Sequence, residues 1–178
     1  MTALETLPQI LLKRGTGEPD RLAQRHKKRG IWREYTFGDV LDRVQELALG
    51  LDALGILRGE TVAIIGENEP EHFWAVFAAQ SLGGVTVGIY PTNPWPELQY
   101  IVRHCGAKVA VCGDQEQTDK LLEAMRHGDG LPALRHVLTV DWKGMRRYTD
   151  PVLRPWADAV AEGRALAADA AAVAAFEA

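Results

Sequence analysis

Cysteine is scarce in this 178-residue chain: only Cys105 and Cys112 occur. Two cysteines in a chain of this length build no disulfide framework. Without a CxxC pair or a nearby histidine set they offer no zinc site either. Both are read as reduced, buried, small apolar residues, in keeping with a cytoplasmic protein. A basic excess is also missing. Twenty Lys and Arg against 24 Asp and Glu leave a formal charge of −4, which gives no electrostatic case for nucleic acid as a partner. No apolar run reaches the roughly eighteen residues needed to cross a bilayer. The opening MTALETLPQI lacks the basic n-region and apolar run of a signal peptide. Nucleotide loops are absent as well: Gly83-Gly84 precedes a strand instead of following one, and no GxGxxG or Walker A spacing occurs. No serine stands in a nucleophile elbow.

What is present is a patterned α/β chain, 47% hydrophobic and long enough to bury a sizeable core. Thr2–Lys13 reads as a short helix with Leu4, Leu7, Leu11 and Leu12 on one side, broken by Gly15-Thr16-Gly17-Glu18-Pro19. Two extended runs, Arg21–His26 and Ile31–Tyr35, flank Lys27-Lys28-Arg29-Gly30 and predict a hairpin with a basic, solvated turn in which Gly30 takes positive φ. Contact of that turn with phosphate or a membrane is the alternative. Thr36 followed by Asp39 forms a capping-box pattern. After it, Phe37, Val40, Leu41, Val44, Leu47, Ala48, Leu51 and Leu54 recur at helical spacing up to Gly55.

A rhythm then begins. Thr61–Ile65, Val85–Tyr90, Lys108–Cys112 and His136–Val140 are short apolar strands, separated by helices over Pro70–Leu82, Pro96–Cys105 and Gln115–His127. In the first of these helices Phe73, Trp74, Val76, Phe77 and Ala78 are expected to pack inward. Strands buried on both faces and joined by helices predict a doubly wound, mainly parallel α/β sheet. After Asp141 the pattern fails: Trp142–Trp156 reads as irregular, with Pro151 and Pro155 blocking continuous helix. The alanine-rich Ala157–Ala178 has few large apolar groups to anchor it to a core.

In a parallel sheet, ligands bind beyond the carboxyl ends of the strands. That rule selects Gly66-Glu67-Asn68, Tyr90-Pro91-Thr92-Asn93-Pro94-Trp95, Gly113-Asp114 and Asp141-Trp142. The second segment is stiffened by its prolines and presents phenol, hydroxyl, amide and indole groups together. Tyr90, Thr92 and Asn93 are the candidate cleft-edge residues, and the sequence leaves two roles open: contact with a ligand, or capping and packing of the next helix. Glu67, Glu69 and Glu71 crowd the first strand's end and invite a metal, although a favourable contact with the helix dipole explains them more simply. His26, His72, His104, His127 and His136 are scattered. No catalytic constellation and no metal site emerge from spacing alone.

The segment Leu54–Val111 resembles the N-terminal region of the AMP-forming acyl-CoA synthetases, the adenylate-forming superfamily. The matching features are LG…RGE-x-VAI leading into a strand, an asparagine after it, a helix running into a QSLGG turn, and a strand ending in the proline-bearing IYPTNP loop. A helix leading to GAK before an apolar strand completes them. The upstream GIWREYTFGDVLDRVQELALGL looks like the family's aromatic-Thr hairpin and first long helix. IYPTNP and DQEQTDKLLE are most similar to the long-chain fatty acyl-CoA synthetase branch. The resemblance covers residues 5–141.

The resemblance implies, for a complete enzyme, attack of a fatty acid carboxylate on the α-phosphate of ATP, with Mg2+ screening the charge. Acyl-adenylate and pyrophosphate form, and the CoA thiol then displaces AMP. It also implies fatty acid and CoA as partners, and is compatible with a homodimer and with peripheral membrane contact. The family's Ser/Thr/Gly-rich YTSGTTG-like signature, its acidic metal ligand, its ribose-binding aspartate and its C-terminal lysine are absent from these residues. The expectation is therefore an N-terminal α/β subdomain over 1–141, a connector over 142–178, and a fragment unable to adenylate or to hold ATP, Mg2+ or CoA tightly by itself. Two other readings stay open: a non-catalytic α/β interaction or binding module, and a free-standing nucleotide binder, against which the missing glycine loop argues.

Overall fold

The computed structural model describes residues 5–168. Helix α1 (Leu7–Gly17) is followed by an antiparallel hairpin of β1 (Leu22–Lys28) and β2 (Ile31–Thr36), then by the long helix α2 (Phe37–Ala53). The alternating part comprises β3 (Thr61–Ile65), α3 (Pro70–Ser81), β4 (Val85–Ile89), α4 (Trp95–His104), β5 (Val109–Cys112), α5 (Gln115–Arg126) and β6 (His136–Thr139). Strand β7 (Leu153–Pro155) and helix α6 (Trp156–Ala167) end the described chain.

Strands β3 to β7 form one five-stranded parallel sheet in the order β4-β3-β5-β6-β7. Side chains alternate across it, as strand geometry requires. Val62, Ile64, Val109, Val111 and Leu138 join α1, α2, α3 and α6 in one core. Ala63, Ile65, Ala110, Cys112 and Val137 join α4 and α5 in the other. The sheet is doubly wound: the chain steps outward from β3 to β4, then returns across β3 to β5, so the switch point lies between β3 and β5.

Local signals explain the helix starts. Thr36 Oγ1 accepts from the Asp39 amide at 3.2 Å, while Asp39 Oδ2 accepts from the Thr36 amide at 2.9 Å, completing the expected capping box; such a cap contributes about 1 kcal/mol. Thr6 and Gln9 build a second box at α1. That helix runs through Gly15 instead of breaking before it. Gly15 is buried and lies against Leu41, where a Cβ would crowd the leucine side chain; the glycine is a helix-contact residue. Leu4, the first of the expected apolar stripe, lies outside the described residues. The hairpin turn is tighter than expected, Arg29-Gly30 alone, and both residues have positive φ (52° and 81°), the backbone that suits a two-residue hairpin.

One inward expectation changes on α3. Phe73 is 45% exposed, and the buried face consists of Trp74, Ala75, Ala78 and Ala79. The buried stripe 74, 75, 78 and 79 follows helical spacing and leaves Phe73 at its margin.

The segment beyond Asp141 carries more structure than its composition promises. Residues 140–152 give a crossover long enough for parallel pairing, and β7 adds the fifth strand beside β6 (Val137↔Leu153). Pro155 sits in β7 and ends it at the outer edge, where a missing N–H costs nothing. Helix α6 then packs on α2 through Trp156, Ala159 and Gly163. Small residues anchor this helix by backbone proximity. The remainder of the alanine-rich stretch, 169–178, lies outside the described residues.

Candidate functional site

The strand ends at the switch point form a cleft of about 160 Å³. Its floor is backbone. Gly113 continues the β5 register beyond Cys112, its amide donating to the Ile65 carbonyl at 2.8 Å, and a Cβ on Gly66 would stand 3.3 Å from Gly113 Cα. Two facing glycines therefore keep the space above β3 and β5 open, since any side chain there would crowd the opposite strand.

The walls are acidic. Glu67, Glu69, Glu71, Asp114 and Asp141 line the cleft, together with Lys28 and His72. Lys28 reaches over from the hairpin to Glu69, Nζ to Oε2 3.5 Å. Asp114 is committed to α5, where its carboxylate accepts from the Gln117 amide at 3.0 Å. Beneath it, Thr118 and Thr139 share a buried hydroxyl–hydroxyl bond of 2.8 Å. Burial holds the His72 ring below its usual pKa, which favours the neutral form. Its Nδ1, like Glu71 Oε2, is buried with no hydrogen-bond partner among the described residues. Burial pushes the neighbouring strand's Cys112 thiol up to about 12, so it is a packing group and no nucleophile.

Of the residues singled out from sequence, Gly66, Glu67, Gly113, Asp114 and Asp141 converge on the cleft. Thr92 and Pro91 line an adjoining groove with Gly66, Glu67, Asp114 and Lys120, and Lys120 donates to the Pro91 carbonyl at 2.6 Å. Tyr90 stands apart from both, 79% exposed. Asn93 donates to Glu97 at 3.2 Å; Pro94 is the α4 N-cap and makes no side-chain cap bond, so neither Thr92 nor Asn93 caps that helix. Sequence reasoning placed Lys28 in a basic turn, solvated or in contact with phosphate or a membrane, and not at the cleft, and it set His72 aside. Lys28 is 41 residues from Glu69, and only the docked hairpin brings it to the rim.

The residues present do not fit ATP or Mg2+ by themselves. The rim of the cleft is carboxylate-rich, and no glycine-rich turn there offers clustered amides to a phosphate. Among the described residues no group of His, Cys, Asp or Glu has metal-holding geometry.

The fold and cleft define a class: a doubly wound parallel α/β domain with a ligand edge at its switch point. Within that class the chain belongs to the AMP-binding enzyme family, whose model matches residues 11–174. The long-chain-fatty-acid–CoA ligase ACSBG1 of Bos taurus is 33% identical over 119 residues, 67% of this chain and 16% of the ligase. The chain thus spans about a sixth of the length of that relative. The uncharacterized protein Rv1549 of Mycobacterium tuberculosis is 29% identical over 136 residues, 76% of this chain and 73% of that protein. Among solved structures, the inhibitor-bound N-terminal domain of FACL13 from Mycobacterium tuberculosis superposes with a TM-score of 0.74 at 22% identity, over 93% of this chain and 37% of that one. The anthranilate CoA ligase AuaEII, in complex with anthranoyl-AMP, gives 0.65 at 27% identity over 79% of this chain and 26% of the ligase.

Proposed function

We propose that the chain serves as the N-terminal part of a cytoplasmic long-chain fatty acid–CoA ligase, which converts fatty acid, ATP and CoA to acyl-CoA, AMP and pyrophosphate with Mg2+. The observation that carries this reading is the family match over residues 11–174, with long-chain ligase relatives aligned over much of the same chain. In this role the ends of β3, β5 and β6 form one wall of the ligase cleft. Thr92 contacts the ligand side, and Tyr90 and Asn93 flank it. Alone, the chain does not adenylate, because Lys28, the one cation among the residues lining its acidic cleft, is paired with Glu69 and no other group there offsets the charge that develops on a transferring phosphoryl group.

The test is complementation. A long-chain ligase lacking the matching N-terminal segment is co-expressed with this chain, and fatty-acid-dependent AMP formation is measured. Restored turnover supports the reading; stable folding of both parts with no association and no turnover overturns it. One observation favours a second reading, a non-catalytic α/β interaction module: the match covers 73% of the relative Rv1549, so the same unit makes up most of another protein.

A further inference from the structure

A second cavity, of about 310 Å³, opens at the opposite end of the sheet. Arg58 and Gly83, which precede β3 and β4, stand in its lining, whereas the cleft lies beyond the carboxyl ends of the strands. Helices α1 and α2 close one side with Leu11, Leu12, Leu41 and Val44. Leu11 and Val44 are buried, and Leu12 and Leu41 are partly so. This wall is aliphatic, and no acid stands among the described residues that line the cavity.

The polar side of the cavity is committed elsewhere, with one exception. Thr6 and Gln9 are tied into the α1 capping box. Gln80 donates to Thr86 Oγ1 at 3.2 Å, and the Ser81 hydroxyl donates to the Phe77 carbonyl at 2.8 Å. Arg58 is the one charged side chain in the lining, and it has no acidic partner among the described residues. Its position depends on Gly83. A Cβ there would stand 2.9 Å from Arg58 Cγ and 3.2 Å from Nη1. The arginine therefore lies along bare backbone, with its guanidinium uncommitted beside an aliphatic wall.

We propose that this cavity is an effector site for a hydrophobic monocarboxylate, separate from the cleft. A planar guanidinium matches a carboxylate through two parallel N–H···O bonds. One cation suits a monoanion, whereas a dianionic phosphate would be left half-neutralised. The aliphatic wall takes the tail, whose entry removes apolar surface from water. Seated there, the ligand touches α1, α2 and the turn before β4 together, so binding holds the N-terminal helix to the core. The length of β3 separates this carboxylate from the cleft, and it takes part in no bond-making. The site uses only residues 6–83 of this chain, so its test and the complementation test fail separately.

The test titrates the whole chain with dodecanoate below its micellar concentration and follows the backbone amides by nitrogen-15 NMR. Saturable shifts are expected at Leu11, Leu12, Val44 and Gly83, with Gly66 and Gly113 unmoved, together with a higher Tm. Arg58→Gln is expected to weaken dodecanoate about tenfold and to leave dodecanol binding unchanged. Leu12→Gln is expected to weaken both. Circular dichroism verifies that each variant folds. No saturable shifts, shifts centred on Gly66 and Gly113, tighter binding of dodecyl phosphate than of dodecanoate, or wild-type dodecanoate binding by either folded variant would each overturn the proposal.

Discussion

Gly163 of α6 rests on the backbone of Glu46 in α2: a Cβ at position 163 would overlap the Glu46 carbonyl oxygen and crowd the Gly50 amide. Gly50 in turn faces the Ala159 carbonyl. This small-residue crossing joins the last described helix to the core. It is reinforced by Arg164, whose Nε and Nη2 reach the Glu46 carboxylate at 2.6 and 3.0 Å.

Gly163→Ala should therefore destabilise, although alanine is the better helix former. The overlap involves backbone, which cannot rotate away, so overpacking outweighs the propensity gain by about 1–3 kcal/mol. Thermal unfolding followed by circular dichroism should show a lower Tm. Gly17→Ala, with open space around its Cβ, is the control and should leave Tm unchanged or slightly raised.

The Glu46–Arg164 pair should shape acid stability. The hydrogen bond from Arg164 holds the Glu46 carboxyl below its ordinary 4.5. The unfolded chain then takes up this proton first as pH falls, so the pair's contribution is present above 4.5 and fades as pH drops through the lower folded value. Arg164→Gln should flatten the stability–pH curve in that window, measured by urea unfolding across the acid range.

His72 and His136 act in the opposite charge sense. Burial lowers both below the ordinary 6.5, with Arg154 and Arg135 adding to the effect at His136. The folded state resists protonation, so stability should decline as pH falls below 6.5. His72→Gln should reduce that decline without abolishing it, since His136 remains; an unchanged slope would contradict the burial assignment.

Thiol reactivity should separate the two cysteines. Cys112 is fully buried, and that burial pushes its thiol up to about 12, whereas Cys105 is half-buried. A thiol reagent at mildly alkaline pH should modify Cys105 alone in the native protein. Both should react in denaturant. Rapid modification of Cys112 without unfolding would contradict the packing described.

Most of the fold is legible in the sequence because its signals are local. The Thr36–Asp39 box, the apolar period of α2 and the run TVAII each specify their element within a few residues. The winding follows from strands separated by helices. The α6 contact is illegible for a physical reason: its anchors, Gly50, Ala159 and Gly163, work by having little or no side chain, and hydrophobic patterning cannot register them. The candidate site divides in the same way. Gly66, Asp114 and Asp141 follow from the rule on strand ends, while Lys28 arrives by tertiary docking of the hairpin. Of the proline-bearing loop, Tyr90 is exposed while Thr92 lines the groove beside the cleft.

The proposed role gives this chain one wall of a ligase cleft without the phosphate chemistry. The most direct measurement is pyrophosphate release by the purified chain with ATP, Mg2+ and a long-chain fatty acid. No release above a denatured-protein control is expected. Release that scales with protein and requires the fatty acid would contradict it.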